Sequence, residues 1–458
     1  MSFLVKNRDD LIGRGLTPAD RKARADLLDI VEASLRAVDP YGLVKQALRL
    51  EGDTLWAGQE RIDLSRTGKI FLAGAGKACF KMARAAHEIL AGRVERGVFN
   101  VPEKPPSGLG DGFTFHVAGH PKPDEAGLKG AKEIVAMARE AGPDDLFIML
   151  ISGGGSALLP YPAGGITLED KRQLTSLLLA CGARIDEINC VRKHISEVKG
   201  GRLAQAAYPA RVISLIVSDV VGDPVESIAS GPTSPDPSTF QDAAAVLRRY
   251  GIYDRVPDRV RSRIERGLRG EVDETPKPGD PVLSRVRNLI IGSNRVALDA
   301  ARSAGQERGY ATLVLTDRME GEAREIGIFA ASVLNSIGSV GLPLSPPCLV
   351  MMGGETTVTL AGPGDGGRNQ ELALSASRKI AGPGLLLSLA TDGRDGPTDS
   401  AGALVDRETC RLAERIGLSP EKAIADNAEY ELLKALGCHL FTGHTGTNVC
   451  DIVFILVP

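Results

Sequence analysis

The stretch "DLFIMLISGGGSALLP", Asp145 to Pro160, carries an unbroken apolar run into Ser152, three adjacent glycines and Ser156. Glycine inside regular structure costs roughly 0.5–1 kcal/mol relative to alanine, so a glycine run directly after a strand marks a turn whose backbone must approach something closely. Successive amide N–H groups in such a turn make a nest for phosphate oxygens, and the hydroxyls of Ser152 and Ser156 add donors. Ser152, Gly153, Gly154, Gly155 and Ser156 are therefore read as a phosphate-binding loop.

The same grammar recurs along the chain. "KIFLAGAGKACF", "RVISLIVSDVVGDP", "NLIIGSNRVALDAA", "ATLVLTDRMEG", "CLVMMGGET" and "LLLSLATDGRDGPTD" are short apolar strands that break into glycine and polar residues, several leading straight into a helical pattern. Repeated strand, glycine turn and helix imply an α/β architecture with mostly parallel sheets. In such sheets ligands collect outside the carboxyl ends of the strands, where all of these loops fall. At 458 residues the chain exceeds the roughly 250–300 at which one core stops growing, so two or three domains are expected. The proline-rich "TPKPGDPVLSR", Thr275 to Arg285, is the best boundary, dividing residues 1–282 from 283–458, with the last strands free to return to the first domain. Near the amino terminus, Thr17-Pro18 reads as N-cap and N1 of an amphipathic helix that sets Leu27, Leu28, Ile30, Val31 and Leu35 on one face.

With 58 acidic and 55 basic residues the formal charge is -3, which gives no field to hold a nucleic acid. A local basic cluster, "VRKHISEVKGGR" from Val191 to Arg202, is either a solvated helix face or a holder of a small anion. The seven cysteines form no C-x-x-C pair, which argues against a zinc knuckle or disulfide framework and fits a reducing cytoplasm. No apolar stretch reaches the 18 or so residues that a membrane helix needs, and the chain reads as cytoplasmic.

Particular loops carry the chemistry. "GAGKA", Gly74 to Ala78, is not a Walker A loop, because Phe71 and Ala78 stand where glycine and Ser or Thr are required. It also fails the dinucleotide fingerprint at Cys79. What remains is Lys77 at a helix N-terminus beside two glycines, a place that favours a carboxylate or phosphate. Asp219 ends one strand and Asp392 opens the loop after another; a hard cation such as magnesium takes one or two such carboxylates plus phosphate oxygens. Asp-Gly pairs also simply make turns. Arg368 follows the flexible "AGPGDGG" and begins a helix with Asn369, offering a planar fork to an oxyanion. His116, His120, His194 and His444 are candidate bases, with no G-x-S-x-G nucleophile motif beside them.

The combination resembles the class II glycerate 2-kinases, whose C-terminal part is called the MOFRL domain. The stretches "GAGKACFKMA", "GHPKPDEAG", "LISGGGSALLPYP", "INCVRKHISEVKGGRLA", "VSDVVGDPVESIASGPTSPD", "GSNRVALDAA", "GGETTVTL", "GGRNQELAL", "ATDGRDGPTDSAGA" and "FTGHTGTNVCD" occur in family order from about residue 70 to residue 451. The resemblance implies two three-layer α/β/α domains, the first Rossmann-like with a mostly parallel sheet and the second smaller with a mixed sheet, the substrates lying between. It implies transfer of a phosphoryl group from ATP to the 2-hydroxyl of D-glycerate with Mg2+ or another divalent ion. Lys77 and Arg368 match the family's important lysine and arginine. Together they would pair with the glycerate carboxylate and neutralise the moving phosphate, a division of labour left open, with Asn369 beside Arg368 in substrate binding. Residues 152–156 would hold nucleotide phosphates, and Asp219 or Asp392 would hold the metal or orient the acceptor hydroxyl. Domain closure would exclude water. The expected partners are small molecules, with homo-oligomerisation left open. The alternatives are an NAD(P)H-dependent hydroxypyruvate reductase, against which Cys79 speaks, and a non-enzymatic anion sensor.

Overall fold

The computed structural model describes residues 3–458 as two compact units, one of residues 40–291 and the other combining the chain up to Asp39 with Gly292–Pro458. The first unit is organised by a six-stranded sheet in the order Phe113–Val117, Val94–Val101, Ile70–Ala75, Leu146–Ile151, Arg211–Val217, Val286–Gly292. The strands from Phe113–Val117 through Arg211–Val217 pair in parallel, as expected. Every residue of Ile70–Ala75 and Leu146–Ile151 is buried, because a central parallel strand is covered on both faces and needs a continuous apolar run. Counted along the chain the order is 3-2-1-4-5-6, the doubly wound arrangement whose switch point lies between strands one and four. Those strands are Ile70–Ala75 and Leu146–Ile151, so the loops they feed, at Lys77 and at Ser152–Ser156, emerge side by side.

Helices Cys79–Leu90, Glu125–Glu140 and Arg202–Ala207 belong to this unit, and Ala131, Ile134, Val135 and Leu203 join the sheet in one core. A second cluster gathers helices Leu168–Ala180, Ile185–His194, Phe240–Arg249 and Asp258–Leu268 around Leu174, Ile188, Phe240 and Ile264. Thr167 and Asp170 form a capping box at the start of Leu168–Ala180, with Asp170 N donating to Thr167 Oγ1 at 3.1 Å.

The other unit has the mixed sheet that was expected: Ala311–Met319, Cys348–Gly354, Asp451–Val457, Leu385–Ala390, Gly402–Val405, His439–Leu440. The first pair is parallel and the rest are antiparallel. The expected domain limits need correction here. Val286–Gly292 is the sixth strand of the first sheet, which moves the break to 291/292. The last strand does not return to the first unit; it is the start of the chain that crosses, because helix Pro18–Ala37 packs in the second unit against Asn294–Glu307.

That helix begins as read, with Thr17 at the N-cap and proline at N1, and Asp20 completes a capping box. Its apolar face is buried, but its partner is chosen by polar residues. Arg24, 2% exposed, is ion-paired with Asp406, whose other oxygen caps helix Arg407–Arg415 through Glu408 N at 2.9 Å. Tyr310 Oη donates to Asp26 at 2.9 Å, and Arg308 pairs with Asp29 at 3.2 Å. Removing one partner of a buried ion pair strands the other, at a cost of about 3–5 kcal/mol. Arg24→Ala is expected to lower the unfolding free energy by about that amount, read by urea denaturation followed by circular dichroism.

Candidate active site

At the switch point the two loops are tied together by the main chain. Lys77 N donates to Gly153 O at 2.8 Å, and Ser152 N donates to Ala75 O at 3.3 Å. Ser152 Oγ accepts from Ala78 N at 3.0 Å. The hydroxyls expected to serve a ligand thus brace the turn instead: Ser152 is buried, and Ser156 Oγ lies 3.0 Å from both Ser230 Oγ and Lys199 Nζ. The amides fare differently. The N–H groups of Gly153 and Gly154 have no acceptor among the described residues, and two adjacent open donors in a turn are what an anion nest requires.

The surroundings of the turn are set by what its missing side chains would meet. A Cβ on Gly153 would run into Asp219, reaching its Cγ at 2.9 Å; one on Gly154 would lie 3.0 Å from His120 Nε2 and 3.4 Å from Lys77 Cγ. Gly154 also has φ +82°, in the left-handed region. Lys77, His120 and Asp219 therefore surround the two open amides. His120, one of four candidate bases from sequence, faces the turn; burial and the Lys77 charge lower its pKa, favouring neutral imidazole. The family stretch "GHPKPDEAG" was the available signal. His116 and His194 are instead engaged by Glu133 and Glu274.

Arg368 sits in the other unit as the first residue of helix Arg368–Ser377. Its guanidinium is not an idle fork on a loose loop. Nε and Nη2 donate to the two oxygens of Asp451 at 2.5 and 3.0 Å, and Nη1 donates to Glu355. The preceding glycines serve close packing, since a Cβ on Gly367 would strike the Asp395 carboxylate. Asp395 is buried and caps the helix, accepting from Asn369 N at 3.1 Å and Gln370 N at 2.9 Å.

Asn369 needs correction as a substrate contact. It is 1% exposed, its Nδ2 donates to Asp395 at 3.3 Å and its Oδ1 accepts from Ser388 Oγ at 2.6 Å. Its role is to hold the helix start that carries Arg368. Asp392 accepts from Arg394 N at 3.0 Å, the local turn that Asp-Gly sequences favour. Among the described residues no group of three or more His, Cys, Asp or Glu side chains is arranged to hold a metal ion. Magnesium asks less of a protein, one or two carboxylates with phosphate oxygens and water completing its shell. Asp219, against the glycine turn, fits that donor set.

With this geometry in hand, likeness to known proteins is informative. Residues 26–265 match a family described as "Domain of unknown function (DUF4147)", and residues 348–451 match the MOFRL family. The glycerate 2-kinase of Pyrococcus horikoshii is 44% identical over 94% of this chain and 96% of its own length. The chain belongs to the glycerate 2-kinase family. A D-glycerate 2-kinase of Thermotoga maritima is 40% identical over 94% of the chain and 97% of its own. A protein of Agrobacterium vitis named "Putative hydroxypyruvate reductase" is 42% identical over 96% of both chains. The crystal structure of a Thermotoga maritima glycerate kinase superposes with TM-score 0.84 at 39% identity, covering 94% of this chain and 98% of that one. A Pyrococcus horikoshii OT3 structure gives 0.83 at 44%, covering 95% and 98%. No helix among the described residues is long and apolar enough to cross a membrane.

Two predictions follow from these geometries. Gly154→Ala puts a methyl against His120 and forces a non-glycine residue into a left-handed turn, which costs about 1–2 kcal/mol; differential scanning calorimetry is expected to show a lowered thermal midpoint. Glu429, 1% exposed, has Oε1 buried without a hydrogen-bond partner, and burial together with Glu371 and Asp395 pushes its pKa up to about 8. A carboxyl raised on folding binds its proton more tightly in the native state, so its contribution is present below its unfolded pKa and is lost as pH rises towards about 8. Glu429→Gln is expected to flatten that fall, raising the thermal midpoint more at pH 8 than at pH 5.

Proposed function

We propose that this chain transfers the γ-phosphoryl group of ATP to the 2-hydroxyl of D-glycerate, giving 2-phosphoglycerate and ADP. The observation that carries the proposal is the pair of open amides at Gly153 and Gly154, bordered by Lys77 and Asp219 at a doubly wound switch point, in a chain whose relatives bear that name. Phosphoryl transfer asks little covalent chemistry of a protein; it needs alignment and neutralisation of charge on the moving group. The glycine turn donates its amides to nucleotide phosphate oxygens. Lys77 and Arg368 act on the same pair of substrates, one ammonium and one guanidinium pairing with the glycerate carboxylate and the transferring phosphate. Arg368 is already aligned by Asp451 and Glu355, which fixes its plane at the cost of sharing its charge. Asp219 is the carboxylate assigned to a divalent ion, which when bound would supply positive charge between phosphates; Asp392 is the alternative holder. The oxygen of the 2-hydroxyl forms the new P–O bond as the β–γ bond breaks, and its proton leaves to solvent.

A coupled ADP-release assay with D-glycerate, followed by assignment of the 2- or 3-phosphate isomer, tests the reaction. Lys77→Ala and Arg368→Ala are each expected to lower kcat/KM by about 10²–10³-fold, the loss typical for one charge-stabilising donor, while both remain folded. Near-normal turnover in both removes them from the mechanism. The Agrobacterium vitis name keeps a reductase in view, although Cys79 Sγ occupies the space against Gly74 where a dinucleotide loop needs a small residue. NADH consumption with hydroxypyruvate, in a protein that does not phosphorylate glycerate, reverses the assignment.

A further inference from the structure

The basic stretch after the glycine loop holds cations in places where cations are costly. Lys199 is fully buried, and its ammonium donates to Ser156 O and Ser156 Oγ at 3.0 Å and to Ala229 O at 3.3 Å. Lys171, on helix Leu168–Ala180, is 4% exposed, and its amine has no hydrogen bond or ion pair among the described residues. Arg192, on helix Ile185–His194, also lacks any side-chain partner there, and its Nε is buried without an acceptor. The charged groups that bear on Lys171 and Lys199 are other cations, Arg192 for the first and Lys171, Arg192 and Lys193 for the second. Lys193 alone is neutralised, by Asp236 at 3.3 Å.

A buried lysine can escape by losing its proton; an arginine cannot. A largely enclosed guanidinium without a carboxylate therefore calls for an anion from outside. The cluster adjoins the glycine turn through a chain of hydrogen bonds: Ser156 Oγ lies 3.0 Å from Ser230 Oγ, and Ser230 Oγ donates to Asn189 at 3.1 Å. Asn189 and Arg192 are three apart on one helix and share its face. Ala229 and Ser230 both have left-handed φ, +52° and +61°, a strain that persists only where the surroundings enforce it and that concentrates at functional sites.

We propose that Lys171 and Arg192 form a further binding site for a small oxyanion, the carboxylate or the phosphate group of a metabolite-sized ligand. The carboxylate would come from the acceptor acid, the phosphate from a nucleotide or from inorganic phosphate. Lys199 is engaged by Ser156 and Ala229 and braces the loop; Lys171 and Arg192 contribute the hydrogen bonds.

Burial and Arg192 hold the Lys171 amine down to about 7, so an anion that restores its charge must take up protons at pH 8. The test is titration calorimetry of the whole protein at pH 8 in two buffers of different ionisation enthalpy, with D-glycerate, ATP and inorganic phosphate as separate probes. The expected result is proton uptake with at least one probe, and affinity for that probe reduced about tenfold or more in Lys171→Met and Arg192→Met. A loss confined to D-glycerate assigns the site to the acid; a loss shared by ATP and phosphate assigns it to a phosphate group. Wild-type protein that takes up no proton with any probe overturns the proposal, whether or not the variants fold. So does a folded Lys171→Met that keeps both uptake and affinity within about twofold. If glycerate is phosphorylated normally alongside either of these results, the anion site fails and the kinase reading stands.

Discussion

The 2.8 Å hydrogen bond from Lys77 N to Gly153 O is the joint that holds the two switch-point loops of the 40–291 unit together. It exists because the strands Ile70–Ala75 and Leu146–Ile151 pair in parallel and in register, Ala75 opposite Ile151, so that both chains leave the sheet at the same height. One loop then carries the cation and the other carries the bare backbone. Asp219, delivered by the neighbouring strand, and His120 fill the remaining sides. None of these side chains would meet if the sheet order lacked a switch point there.

Around Arg368 the logic is the reverse. The 40–291 turn presents two open amides, at Gly153 and Gly154, while Arg368 is surrounded by carboxylates: Asp451 and Glu355 on the guanidinium, Asp395 under the helix that starts with it. Burial raises the Asp395 carboxyl against the amides that cap onto it. An arginine so held is rigid in direction, and its full positive charge is offset by the carboxylates around it. Glycines at 366 and 367 let this acidic nest close, rather than letting the arginine swing.

Much of this could be read from residue order alone, and the parts that could not share one cause. Period and punctuation report which face of an element is buried and where it turns, so the strands, the Thr17 N-cap and the glycine loops were legible. They do not report against what. Leu27 to Leu35 announced an apolar face, but the choice of Asp406, Tyr310 and Arg308 as partners lies in contacts remote in sequence. For the same reason Asn369 read as a ligand contact when its amide belongs to Asp395 and Ser388. His120 read as one histidine among several. The segment from Val191 to Arg202 left two readings open, a wet helix face or an anion holder; burial of Lys199 rules out solvation for that residue, a property that no hydrophobicity pattern contains.

The crossing of the amino-terminal helix into the later unit has a consequence for how the protein is made. Helix Pro18–Ala37 leaves the ribosome long before Asn294–Glu307, Tyr310 or Asp406 exist, and the whole of the 40–291 unit is translated in the interval. Units tend to fold as they emerge, amino-terminal first, but here helix Pro18–Ala37 meets its partner helix Asn294–Glu307 only after the 40–291 unit is made. The core of the later unit thus closes through a pairing of long sequence separation, which is intrinsically slow because loop-closure entropy is met before the contact rewards it.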